Sequence, residues 1–293
     1  MTIDLQNRGS LAESIQPASN SSPTADSAGI LGRIGSLETR LARTAGEIAA
    51  AQGVRYRVFV EEMQARLSPE AMRARRDSDS WDDICDHLLV LDRAIEGDEE
   101  DQIVATYRIL RQEVAIAAGG FYSASEFDIE PLIARHPGIR FMELGRSCVL
   151  PEYRTKRTVE LLWQGNWAYA LKHGIGVMFG CASLPGIQPE QHALALSFLH
   201  HNALAKDEWT VTALPALYRN MDLMPVEAVN PRRALGALPP LVKGYLRLGA
   251  MIGSGAVVDH AFNTTDVLIV LPISNISDRY LNYYGADAGR FAS

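Results

Sequence analysis

Phe141-Met142-Glu143-Leu144-Gly145-Arg146-Ser147-Cys148-Val149-Leu150 is the stretch that decides the fold. Its first half alternates as a half-buried strand does, and its end is continuously apolar. Pro151, which has no N–H for a sheet ladder, stops it. Glu143 and Arg146 interrupt this core-like run. Three positions apart, they project to opposite faces of a regular strand, and neither is buried unpartnered without cost. Two readings compete: a salt-bridged or rim pair that holds the fold, and a functional carboxylate. A basic turn follows, with Arg154, Lys156 and Arg157, and leads into a helix carrying Leu161, Leu162, Trp163 and Trp167. A buried carboxylate on a strand that runs into a cationic loop and a helix N-terminus suits an anionic cofactor beside a general base.

The chain around this stretch has 293 residues, 47% hydrophobic and 22% charged, enough to bury a sizeable core. A net charge of −7 argues against generic nucleic-acid binding, which needs a basic face. Cys85, Cys148 and Cys181 lie far apart without metal-ligand spacing and read as free thiols of a reducing cytoplasm. The opening Met-Thr-Ile-Asp-Leu-Gln lacks a basic-then-apolar signal pattern. No apolar run approaches the roughly 20 residues of a spanning helix. A soluble, cytoplasmic protein is expected, at most lying against the membrane.

Before the central strand, residues 1–30 are rich in Ser, Ala, Asn, Thr and Pro and read as a disordered tail, with one domain from 31 to 293. Leu37–Leu41 suits a first strand, and Ala45–Glu62 a helix that stacks Arg55 on Phe59 at i, i+4. Residues 68–86 are irregular and polarised, Arg73, Arg75 and Arg76 being followed by five aspartates. They read as a solvated surface or as a mobile segment that offers charges to partners. His87–Asp92 and Ile103–Leu110 form paired strands, the second carrying Arg108, which needs a carboxylate if it points inward. Residues 119–138 look like a loop with a short helix at Ile129–Ala134.

Beyond the central strand, the helix Val159–His173 ends at a glycine cap, Gly174, and Val177–Leu184 is a buried strand. On the helix that continues to Ala205, His200 and His201 project about 100° apart. No spaced carboxylate or cysteine completes a set, so no metal site is expected. Trp209–Leu214 alternates like a strand. Pro239–Ile252 is an apolar helix with Lys243 and Arg247, and Val267–Pro272 is an apolar strand. Gly-rich phosphate loops and nucleophile elbows are absent. Strand runs separated by helices give one mixed sheet with helices on its faces.

A strand, a helix, paired strands, and then a strand passing through Pro151-Glu152-Tyr153-Arg154 into a helix and a further strand resemble the GNAT acyltransferases. That resemblance implies an α/β fold with a mixed, largely antiparallel sheet flanked by helices. It also implies a pantetheine arm in the splay between 141–150 and 177–184, bringing Cys148 and Val149 to the donor. Within this superfamily, Arg55 and Phe59, Asp83 and Asp86, Arg108-Ile109, and Glu143 with Arg146 resemble motifs of the acyl-homoserine-lactone synthases. The turn Arg154-Thr155-Lys156-Arg157 lacks the paired glycines of a coenzyme A cradle, which favours a carrier-protein donor. A C-terminal extension from about 225 contains Pro239–Arg247 and Phe262–Val267. Both motifs resemble the L-ornithine N-alpha-acyltransferases of ornithine-lipid synthesis.

The resemblance implies transfer of a 3-hydroxy fatty acyl group from acyl carrier protein to the alpha-amine of L-ornithine, giving lyso-ornithine lipid. No bound cofactor is implied, since the donor rides on the carrier's phosphopantetheine. Glu143 is the candidate to deprotonate the amine, Tyr218 a candidate acid for the leaving thiol, and Arg146 and Arg108 candidates for the ornithine carboxylate. Asp83, Asp86, Asp259 and Asp266 are candidates for its amines, and Arg154, Lys156 and Arg157 for the donor phosphate and the carrier surface. Internal salt bridges are the competing reading for each of these acceptor-side charges. Alternatives are a synthase using another amine such as S-adenosylmethionine, or a non-catalytic acyl-carrier or membrane-binding module. Peripheral contact with the inner membrane face is a further expectation, through Lys243 and Arg247.

Overall fold

A computed structural model describes residues 29–277, and among these residues nine strands form one sheet. The strands are β1 (Ile30–Ile34), β2 (Leu37–Leu41), β3 (Asp86–Asp92), β4 (Ile103–Arg111), β5 (Arg140–Val149), β6 (Ile175–Pro185), β7 (Met251–Ile252), β8 (Val257–Asp259) and β9 (Thr264–Pro272). Their order is β1-β2-β3-β4-β5-β6-β9-β7, with β8 also on β9. Every pairing is antiparallel except β5 with β6. The expected tail lies outside the described residues except for Gly29 and Ile30, and Ile30 already opens β1. The last residues of the extension, 278–293, also lie outside them.

Helices cover both faces. The helix α1 (Ala45–Tyr56) continues through a wider π-type turn at Arg57–Glu62, and short α2 (Pro69–Ala74), α3 (Gln112–Ala117) and α4 (Ile129–Ala134) precede β5. After β5 come α5 (Lys156–His173), α6 (Ala193–Ala203), α7 (Pro231–Ala237) and α8 (Pro240–Arg247). Leu88 to Leu91 of β3 are all fully buried, so this strand reads as a continuous apolar run rather than an alternating one. On α5, Gly165 permits close packing, because a Cβ there would come 2.9 Å from Leu88 Cδ1. Tyr169 of α5 donates a hydrogen bond to Asp86 of β3, whereas the Cys148 thiol of β5 meets the Val54 carbonyl of α1 on the opposite face.

Two local expectations fail for identifiable reasons. Trp209–Leu214 is not a strand: Thr212 and Ala213 make isolated bridges to Ser254 and Phe127, while Trp209 stacks on His136 at 3.9 Å. The helix expected over Pro239–Ile252 stops at Arg247, because Gly249 turns the chain at φ 90° and Met251–Ile252 joins β9 as β7.

Two irregularities of β5 create the site. Against β4, Arg108 faces Gly145 but Thr106 faces Cys148, so Arg146 and Ser147 together oppose Tyr107. This is a β-bulge, and Arg146 occupies its left-handed position with φ 50°. The extra residue reverses the strand's alternation, so Arg146 and Glu143 both reach Tyr122 rather than pointing to opposite faces. On its other edge, β5 pairs with β6 only as far as Glu143↔Phe179 and then leaves it. Gly180 permits this close crossing, since a Cβ there would lie 2.1 Å from the Leu144 carbonyl oxygen.

Candidate active site

The polarised segment 68–86 divides: Arg73, Arg75 and Arg76 stay exposed as a solvated surface, whereas Asp77 and Asp82 turn inward and are buried. Asp79 and Asp82 cap a tight 3-10 turn at Ser80–Asp83, which aims Asp82 into the core and leaves Asp83 exposed. Fully buried Arg55 meets Asp77 and Asp82 at 2.8 Å each, and Arg108 meets Asp79 at 2.6 Å and Asp82 at 3.2 Å. Arg146 closes the set on Asp77 and Asp79, at 3.1 Å each. Three guanidinium groups and three carboxylates thus compensate one another in the interior. Burial raises the Asp82 carboxyl, but hydrogen bonds from Arg55 together with the Arg55 and Arg108 charges outweigh it and hold the group well below its ordinary range.

Where β5 and β6 part, a cavity of about 460 Å³ passes through the sheet. On the α1 side it is polar, with Tyr122, Glu126, Glu143, Arg146, Asp259 and Asp266. On the α5 side it is an apolar arm walled by Leu162, Trp163, Pro240, Leu241 and Gly244. Trp163 packs edge-on against Tyr245 of α8 at 4.9 Å, and the Tyr245 hydroxyl lies 3.0 Å from that of Tyr107. Val242 and Tyr245 are the buried residues of α8, so the extension closes the arm.

Glu143 is held from one turn of chain. Its carboxylate accepts the Tyr122 and Ser123 backbone N–H groups at 2.8 Å each, and the Ser123 hydroxyl as well. Burial nevertheless raises its pKa, because three hydrogen bonds do not restore bulk solvation. The same turn presents Glu126, whose carboxylate accepts the Cys181 thiol at 3.3 Å. Oxygens of Glu126, Asp259 and Asp266 all lie within 4.8 Å of one another. Burial first, and then the neighbouring Asp266 charge, push Glu126 up to about 7. Burial likewise lifts Asp266 to about 6, and the neighbouring Asp259 charge adds to the lift.

The cavity gathers Phe59, Glu143, Arg146, Cys148, Val149, Arg154, Asp259 and Asp266 of the residues singled out in the sequence. Phe262 links two of them, packing edge-on to Phe59 at 5.6 Å and lying 4.4 Å beneath the Arg146 guanidinium. Arg55 and Arg108 stand behind Arg146 as its ion-pair neighbours and do not line the cavity. Asp83 is exposed, and Asp86 is bound by Tyr169 and, at 3.5 Å, by Arg111, so neither of the two lines it. Tyr218 is also outside, packed on the surface over Gly255. Arg154 stays at the rim in a two-fold pair with Glu62, at 2.6 and 2.5 Å. Lys156, paired with Glu160 at 3.2 Å, and Arg157 border a separate shallow groove with Tyr153 and Asp92.

Burial pushes the Cys148 thiol up to about 12, which keeps it from acting as a thiolate nucleophile. The fold also brings the carboxylate that the sequence does not space: exposed Asp222 lies 3.3 Å from half-buried His201 beside His200, and none of the three lines the cavity.

A family model for an acetyltransferase (GNAT) domain matches residues 54–164, from the end of α1 into α5. An L-ornithine N(alpha)-acyltransferase of Rhizobium meliloti (strain 1021) is 70% identical over 293 residues, covering 100% of this chain and 99% of its own length. The chain belongs to the L-ornithine N(alpha)-acyltransferase family. A second member, from Agrobacterium fabrum (strain C58 / ATCC 33970), is 69% identical and covers 99% of each chain. Among solved structures, FeeM, an N-acyl amino acid synthase from uncultured soil microbes, aligns with a TM-score of 0.46 at 11% identity, covering 81% of this chain and 91% of that one. This member of the L-ornithine N(alpha)-acyltransferase family is therefore an acyltransferase built on a GNAT-like sheet. No helix among its described residues is long and apolar enough to cross a membrane.

Proposed function

We propose that the enzyme transfers a 3-hydroxy fatty acyl group from acyl carrier protein to the α-amine of L-ornithine, releasing lyso-ornithine lipid. The names of its relatives supply the acceptor. The observation that carries the reading is the two-sided cavity: an apolar arm on one face of the sheet and a chamber of carboxylates with Arg146 on the other. Such a cavity suits a thioester threaded through the splay, its chain in the arm and its carbonyl facing a zwitterionic amino acid.

The α-ammonium has a pKa of roughly 8–10 and must lose a proton before it attacks. Glu143, fixed by Tyr122 and Ser123, takes that proton directly or through a water. The nitrogen bonds to the thioester carbon, and the negative charge moves to the carbonyl oxygen. Backbone N–H groups on the β5 edge released beyond Glu143 stabilise this oxyanion. Collapse re-forms the carbonyl and breaks the carbon–sulfur bond. The thiolate, of a thiol with pKa about 8.5, leaves with little need of an acid. Arg146 holds the ornithine carboxylate. Tyr107, buried beside Ser147 at the cavity wall, offers its hydroxyl to the 3-hydroxyl of the chain. Arg154 and Arg157 face the carrier, while exposed Arg247 and half-buried Lys243 on α8 give weak contact with anionic lipid as the product leaves.

The test is incubation of purified protein and ornithine with 3-hydroxyacyl carrier protein or 3-hydroxyacyl coenzyme A, followed by mass analysis of the product. The reading requires N-acylornithine and a marked preference for the carrier. No acylornithine, or equal use of coenzyme A, contradicts it.

A further inference from the structure

The polar chamber holds three further carboxylates besides Glu143. Glu126, Asp259 and Asp266 have no ion-pair partner among the described residues, and their oxygens cluster within 4.8 Å. The two cations on the cavity wall are engaged elsewhere: Arg146 with Asp77 and Asp79, Arg154 with Glu62. Asp259 is aimed by its Oδ1, which accepts the Ala261 and Phe262 N–H groups at 2.7 and 3.0 Å. Asp266 is only 6% exposed and lines the cavity, yet its Oδ1 has no hydrogen-bond partner. An unpaired carboxylate oxygen at such depth is costly unless something cationic meets it.

We propose that Glu126, Asp259 and Asp266 form a subsite for the distal ammonium of a diamino acid, with Glu126 the residue that sets acceptor specificity. This rests on the reading of the enzyme as an ornithine acyltransferase. Glu126 leaves the same short turn as Tyr122 and Ser123, which hold the base Glu143. One turn therefore fixes both the group that deprotonates the α-amine and the group that receives the amine at the other end of the acceptor. The ammonium is a three-donor cation, and three carboxylates from three elements present it with an acceptor each. An amino acid of the same length without that amine would leave the carboxylates unpaired, the situation in which polar sites discriminate most sharply.

The experiment compares kcat/KM for ornithine and for 2-aminopentanoate, which has ornithine's chain without the distal amine, in the parent enzyme and in Glu126→Gln and Asp266→Asn. The parent should prefer ornithine, and each substitution should lower that ratio at least about tenfold, mainly through KM for ornithine. An unchanged ratio in correctly folded variants overturns the subsite. A parent enzyme that acylates neither compound overturns the functional reading and the subsite with it.

Inhibition of the unmodified enzyme gives a second measurement that needs no variant to fold. 1,4-Diaminobutane should compete with ornithine at least about ten times more strongly than butylamine, and equal inhibition overturns the proposal. Loss of turnover on chelation, restored by a divalent cation, would assign the three carboxylates to a metal and overturn it too.

Discussion

Glu143 and Arg146 converge on Tyr122, the carboxylate on its backbone N–H at 2.8 Å and the guanidinium on its hydroxyl at 3.3 Å. A regular strand would have placed them on opposite faces; the bulge, with Arg146 at φ 50°, puts them in one chamber. Arg146 is also braced by two aspartates and stacked between Tyr122 and Phe262. Arg146→Lys keeps the charge but loses the fork that joins these partners. Its KM for ornithine should rise about tenfold or more, with a lower melting temperature. Steady-state kinetics and thermal melts of the variant check both.

Tyr107 is the polar group proposed to meet the 3-hydroxyl of the donor. Tyr107→Phe deletes only an oxygen, so the fold should persist with a modest loss from the Tyr245 contact. Turnover of 3-hydroxyacyl donors relative to plain acyl donors should fall by roughly one hydrogen bond, about 1 kcal/mol or fivefold. Competition between the two donors, followed by mass, reads the ratio; an unchanged ratio would remove Tyr107 from donor selection.

The raised carboxyls predict a pH effect on stability. Glu126 moves from 4.5 to about 7 and Asp266 from 3.8 to about 6 on folding. Folded protein therefore holds these protons where unfolded chain has lost them. Their contribution is fully present below the unfolded values and is lost as pH rises through the folded ones. Between about pH 4.5 and 7, the melting temperature of the parent should fall relative to that of Glu126→Gln, which cannot titrate there. Differential scanning fluorimetry of the two proteins across this range should show the gap narrowing or reversing.

Recognition of the carrier is assigned to exposed cations, which salt screens. Arg157→Glu should raise KM for the acyl carrier protein several-fold and leave KM for ornithine unchanged, and added salt should raise the parent's KM for the carrier in the same way. Titration of the carrier at low and moderate ionic strength measures both effects.

How much of this was legible in the sequence depends on the range of the interactions. The limits of β2 and of α4 coincide with the expected Leu37–Leu41 and Ile129–Ala134, because local alternation and helix punctuation set them. The resemblance to the GNAT acyltransferases implies the splay, and β5 and β6 part between the strands named for it. The bulge was not legible, since Arg146 sits where a glycine would have announced a left-handed residue. Asp82, not Asp83, enters the core because a capping box in a short 3-10 turn decides which of two adjacent acids points inward. Glu126 stands in a stretch whose sequence reads as loop and does not mark it. Its partners Cys181, Asp259 and Asp266 are distant in the chain, and its one local sign is that it abuts Phe127, which is fully buried.

The central claim is that Glu143 takes the proton of the attacking amine. Its most direct test is the turnover per folded molecule of Glu143→Gln and Glu143→Asp with 3-hydroxyacyl carrier protein and ornithine, the folded fraction being measured by circular dichroism. Loss of a general base predicts a fall of roughly 100- to 10,000-fold for the glutamine variant, with part of the activity kept by the shortened carboxylate. Near-normal turnover of Glu143→Gln, accompanied only by a lower melting temperature, would show that the carboxylate merely anchors Tyr122 and Ser123.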